Sequence, residues 1–169
     1  MPIVLLALFM FVQTLTAGTG LRALGREEWA ASGAAQEVLE KMRNEDFRDV
    51  FRLFNADPFD DPGGPGTAPG NRFAVPGLDP LESNTEGTVG EIVLPVWNTG
   101  SEVVPVWEVR EDQPDAALGT PRDLNGDCVV DDGDHAADYT LLPVVVHLRW
   151  RGPLGPRQLR IHTLFSELR

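Results

Sequence analysis

MPIVLLALFMFVQTLTAGTGLRALGREEWAASGAAQEVLEKMRNEDFRDVFRLF, residues Met1 to Phe54, is the stretch whose reading decides the fold. No charged residue occurs from Met1 to Leu21; from Arg22 onward the chain is charged but keeps apolar residues at helical spacing. The pattern predicts one long helix with an apolar head over 1–21 and an amphipathic tail over 22–54, followed by a small domain over 55–169. A helix rises about 1.5 Å per residue and needs about 20 residues to cross a bilayer core of about 30 Å, a length the charge-free span just reaches. Gln13, Thr14, Thr16 and Thr19 dilute its second half. Pro2 is harmless at a helix start, where its missing N–H has no partner to lose.

Three readings of the head stay open. It is a membrane-anchoring helix that continues into the folded part. It is a cleaved signal peptide with a small-residue site near Thr16–Gly18, though no Lys or Arg precedes Arg22. Or it is a buried core helix, which calls for a larger core than 169 residues readily supply.

In the tail, Leu21, Leu24, Ala31, Ala35, Val38 and Met42 recur at spacings of three, four or seven and form one stripe, widened by Leu39. Glu37 and Lys41 are an i,i+4 pair in the favourable order. Asn44 or Asp46 is expected to cap a second short helix with Phe47, Val50, Phe51 and Phe54 inward, ending near Asn55 ahead of Pro58.

Residues Asn55 to Arg72 hold four prolines and four glycines and predict a long irregular connection. Phe73–Val75 can begin an edge strand. Thr88–Trp97 and Glu102–Val109 read as strands joined at Asn98-Thr99-Gly100, with Pro95 and Pro105 placing them at edges or bulges. The last strands give the sharpest signal. Closing a hairpin over Arg151–Pro156 pairs Leu148 with Leu159, Val146 with Ile161, Val144 with Thr163 and Leu142 with Phe165. Both apolar sets then meet on one face, and a one-residue slip would turn one of them away. That face needs a cover, and the helical stripe is the obvious one. The expected fold class is α+β, a long N-terminal helix packed on a small antiparallel β-meander.

The chemistry gathers in Asp123 to Asp134, DLNGDCVVDDGD. Asp123, Asn125, Asp127, Asp131 and Asp134 fall at positions 1, 3, 5, 9 and 12 of a twelve-residue loop, the oxygen spacing of a calcium site, with Val129 offering its carbonyl at position 7. Val130 is expected to tuck inward. The run resembles dockerin and EF-hand calcium loops, closer to dockerin because position 12 is Asp134. Cys128 stands where glycine is usual. The alternative is a solvated acidic turn. Glu111, Asp112, Asp115, Asp132 and Asp138 crowd the wider segment, and like charge of this density calls for a cation or water. Magnesium, which prefers rigid octahedral sites, fits less well than calcium.

The net charge of -12, from 26 acids and 14 bases, argues against nucleic acid as a partner. One cysteine permits no internal disulfide. His135, His147 and His162 show no ligand spacing and read as surface residues. No nucleophile–base arrangement or phosphate loop appears, so neither an enzyme nor a small-molecule substrate is expected.

Together these features resemble the type IV pilin and type II secretion pseudopilin superfamily, and AASGAAQEVLEKMRNEDFRDVF resembles the helix of minor, PilV-like prepilin proteins. The resemblance implies a non-enzymatic subunit of a type IV pilus or type II secretion-like assembly. It implies anchoring in the bacterial inner membrane by a single span, like subunits as partners through the N-terminal helix, and calcium holding the loop. The Gly-Phe-Thr-Leu-Ile-Glu-like run that marks these families is absent, and Met1-Pro2-Ile3 begins inside what would be the apolar helix. That reads as a start placed too far downstream or as lost processing, so no cleavage or methylation residue carries over. The other reading is a secreted calcium-dependent binding module with a cleaved signal peptide.

Overall fold

The period-two hairpin and the period-3.6 stripe meet as their patterns require. The structure, a computed structural model, describes residues 2–100 and 105–167; before Leu24 it describes the side chains of Val4, Met10 and Phe11 alone. The chain is α+β. Helix α1 (Pro2–Asn44) and the short α2 (Val50–Phe54) precede six strands. These are β1 (Arg72–Phe73), β2 (Gly90–Val93), β3 (Val96–Asn98), β4 (Trp107–Val109), β5 (Leu141–Gly152) and β6 (Gly155–Ser166). A four-stranded antiparallel sheet runs β1-β2-β5-β6, and β3 pairs with β4 in a small second sheet.

The hairpin closes in the expected register: Leu142 faces Phe165, Val144 faces Thr163, Val146 faces Ile161 and Leu148 faces Leu159. The strands run to Gly152 and Gly155, so the turn is shorter than the Gly/Pro-rich segment suggests. On the inner face Leu142, Val144, Val146, Leu148 and Trp150 are buried. The cover is α1, through Ala31, Ala35, Leu39 and Met42, with Val38 partly buried beside them. Two alanines in that row let helix and sheet approach closely.

The direction of α1 is fixed at both ends. Trp150 Nε1 donates to Glu27 Oε2 at 3.0 Å, and Arg157 pairs with Glu28 while lying over the Trp150 ring, all beside the hairpin turn. At the other end Tyr139, just before β5, donates its hydroxyl to the Phe47 carbonyl and stacks obliquely on the Phe47 ring. Burial pushes the Tyr139 phenol up to about 12, so it stays a donor at any physiological pH. Helix α1 therefore runs antiparallel to β5.

Several expectations are refined. The segment expected as one strand over Thr88–Trp97 divides at Leu94-Pro95, because a residue without an N–H cannot continue the ladder. β2 stays in the main sheet and β3 turns into the second. Edge strand β1 is only two residues long, and the Phe73 ring lies over Gly90 in the space a Cβ there would need. The N-cap of α2 is Asp49, not Asn44 or Asp46, and its side chain makes no capping bond. Asp46 accepts instead from the Arg48 amide.

The expectation of a single-pass inner-membrane protein with a transmembrane helix is corrected. Among the described residues no helix is long and apolar enough to cross a membrane. The well-described part of α1 is amphipathic, its exposed surface carrying Arg26, Glu28, Glu37, Glu40, Lys41 and Arg43. The apolar head expected over 1–21 falls largely outside the described side chains.

The close helix–sheet contact generates a paired prediction. Ala35→Leu forces a large side chain into a fully buried contact and is expected to cost about 1–3 kcal/mol. Gly33→Ala, on the exposed side with nothing near the added methyl, is expected to gain about 0.5–1 kcal/mol. Urea unfolding midpoints read both; equal effects would contradict the assignment of faces.

Candidate functional site beneath the acidic loop

The acidic loop is built from side chains that fold back on their own backbone. Asp123 leads: its Oδ1 accepts from the Gly126 amide at 2.6 Å and its Oδ2 from the Cys128 amide at 2.8 Å. Asn125 Oδ1 accepts from the Asp127 amide at 3.0 Å, and Asp127 Oδ1 from the Val129 amide at 2.7 Å. Asp131 Oδ1 accepts from the Gly133 amide at 2.7 Å, and that bond leads the causes that hold its carboxyl below the usual range, ahead of His135. Asp134 Oδ1 accepts from the Ala136 amide and, across the loop, from the Val109 amide, both at 3.0 Å. Short acidic side chains bond readily to amides two residues on, and here successive bonds of that kind set the path of the loop. Cys128 takes φ +69°, the left-handed conformation glycine favours, at a cost of about 1–2 kcal/mol that the Asp123 bond to its amide helps to offset.

The expectation of calcium binding is corrected on this geometry. Among the described residues no group of three or more His, Cys, Asp or Glu side chains is gathered so as to hold a metal ion. The carboxylates of Asp123, Asp127, Asp131 and Asp134 are each turned onto amides, and the Asn125 carbonyl does the same. Val129 and Val130 are 54% and 44% exposed, so neither anchors the loop in the core. The Asp/Asn spacing produces turns because Asn125, Asp127, Asp131 and Asp134 each accept from the amide two residues on, and Asp123 from amides three and five residues on.

What sits beneath the loop is a polar cluster that the sequence did not reveal. Glu111 is fully buried. Its Oε1 accepts from the amides of Leu124 and Asn125, tying the end of β4 to the start of the loop. Its Oε2 has no hydrogen-bond partner and lies 3.8 Å from His135 Nε2. His135, expected at the surface, is 5% exposed. Its Nε2 lies 3.2 Å from Asp131 Oδ1, its Nδ1 lies 3.2 Å from Asp138 Oδ1, and its amide donates to the Val109 carbonyl. Burial alone would push His135 down; the charge of Glu111 and the bonds to Asp131 and Asp138 outweigh it and hold the imidazole above its ordinary value. His135 thus stands among three carboxylates at the loop's base, with Asp131 and Asp138 within hydrogen-bond distance and Glu111 at 3.8 Å.

The other histidines lie where the hairpin register puts them. His147 stands opposite Arg160 and His162 opposite Val145, both on the outer face of the sheet. No protein-family model, curated protein or solved structure matches the chain.

Two predictions follow from the cluster. Asp123→Ala removes two amide acceptors and is expected to lower stability by about 1–3 kcal/mol in buffer containing a chelator. A loss seen only with added calcium would reassign Asp123 to a metal. The raised His135 value belongs to the folded state, so its contribution is complete below the ordinary value of 6.5 and is lost as pH rises through the folded value. His147, held below its ordinary value, acts in the opposite sense over the same interval, so the difference between the parent and His135→Gln isolates the cluster: the parent's advantage should shrink as pH rises from about 6.5. An advantage in urea midpoint that grows over that interval would refute the arrangement.

Proposed function

We propose that the chain is a non-enzymatic, pilin-like structural subunit that assembles with like subunits through the N-terminal part of α1. One observation carries the reading: Val4, Met10 and Phe11 are 67%, 61% and 63% exposed on a helix. Val4 and Phe11, seven residues apart, share a face, while Met10 lies away from it. A helix that is apolar on more than one side is one that neighbours bury. From Glu27, where α1 meets the hairpin turn, back to Pro2 the helix rises about 37 Å. Burying a side chain of this size is worth about 1.5–3 kcal/mol, so a few such residues supply a subunit contact. The α+β plan, with an amphipathic helix laid on an antiparallel sheet, supports the reading without deciding it.

The test is the assembly state of the full chain by sedimentation velocity. The parent is expected to self-associate in plain buffer, and Val4→Asp with Phe11→Asp to weaken that association by about tenfold or more. Circular dichroism should meanwhile show the sheet domain intact. A monomeric parent, or association unchanged by the two aspartates, overturns the reading.

A further inference from the structure

Charge in this chain is sorted by position. From Leu141 to Ser166 there is no Asp or Glu, while Arg149, Arg151, Arg157 and Arg160 give the hairpin a net charge of +4. With -12 for the whole, the rest of the chain carries -16. From Asp123 to Asp138 the reverse holds: Asp123, Asp127, Asp131, Asp132, Asp134 and Asp138 occur with no Lys or Arg.

The fold sets these two regions at opposite ends of one sheet. The acidic loop joins the sheet at the open end of the hairpin, where the amides of Thr140 and Leu141 donate to the Leu124 carbonyl. The arginines lie toward the turn end: Arg149 is eight residues along β5 from Leu141, about 26 Å away at strand rise. The loop therefore cannot neutralise its own hairpin. Some of the cations have partners within the chain. Arg149 reaches Glu91 at 3.5 Å, Arg151 reaches Glu82 at 3.0 Å, and Arg157 is engaged with Glu28. These acids lie on the β2 side or on α1 itself. Arg160, exposed on edge strand β6, has no ion pair among the described residues. It stands opposite His147, where burial first, and then the charges of Arg160 and Arg149, hold the imidazole below its ordinary value. On the outer face at the β6 edge, beside Arg149 held by Glu91, Arg160 is a cation left without an ion pair among the described residues of a strongly acidic protein.

We propose that Arg160, on the outer face of edge strand β6, docks the acidic loop of a second copy of the chain. The occupant follows from complementarity of sign and place. A surface at one end of the sheet and its counter-surface at the other generate a head-to-tail contact, which repeats as a ring or an open filament. A nucleic acid would meet the same arginines, but the remaining -16 repels it. The contact is separate from the one on α1 and stands or falls alone. An electrostatic contact weakens as the screening length drops from about 30 Å at 0.01 M to about 3 Å at 1 M salt, whereas an apolar helix contact does not.

The experiment follows self-association of the full chain by sedimentation velocity across that salt range. The proposal expects a component lost at high salt. Arg160→Glu and Asp132→Lys, both at exposed positions, should each abolish that component alone, while circular dichroism shows both variants folded. Mixing the two variants should restore it, because one keeps an intact loop and the other an intact hairpin face. Failure of the mixture to associate overturns the proposal. So does association that is indifferent to salt and to both substitutions, and so does a low-salt monomer, in which Arg160 would only guard the sheet edge against strand pairing. The Val4→Asp, Phe11→Asp variant should retain the salt-sensitive component, which keeps the outcome distinct from that of the helix contact.

Discussion

A hairpin of two twelve-residue strands with one largely apolar face is not viable in water by itself, and the burial of that face by the alanine stripe of α1 is the constraint from which the rest of the structure follows. Trp150, Leu148, Val146, Val144 and Leu142 form a row along β5, each worth about 1.5–3 kcal/mol when removed from water. The row needs a straight, flat cover. A helix supplies it only where its contacting side chains are small enough to sit close, which Ala31 and Ala35 are. The two polar clasps, Glu27 on Trp150 and Phe47 on Tyr139, fix where along the row the helix sits and in which direction it runs.

The parts of this fold legible in the sequence are those with a period. Alternation along 142–150 and 159–165 fixed both the faces and the register of the hairpin, because a slip by one residue exposes a whole set of aliphatic side chains. The stripe from Ala31 to Met42 fixed the buried side of the helix in the same way. Punctuation by proline was legible too, though Pro95 marked a change of sheet rather than an edge.

The acidic loop shows where such reading stops. Oxygen-bearing side chains at alternate positions serve a cation or their own backbone amides equally well, and spacing does not say which. Glu111 and His135 carried no signal, since a single polar residue has no period and its burial depends on what the distant chain lays over it. The expectation of a membrane span failed for a related reason. A charge-free run gives a length, whereas the described part of α1 answers to the sheet beneath it. Below the loop, an interior carboxylate and a buried imidazole fill the place that an apolar plug would take elsewhere.

The ring of Phe73 resting over Gly90 carries an evolutionary consequence. The aromatic occupies the volume that any side chain at 90 would claim, so the two positions are not free to drift independently. A larger residue 90 would displace the ring or require a smaller residue 73, and either change would strip the shortest strand of the main sheet of its packing. What is inherited at one of these positions therefore conditions what is tolerated at the other.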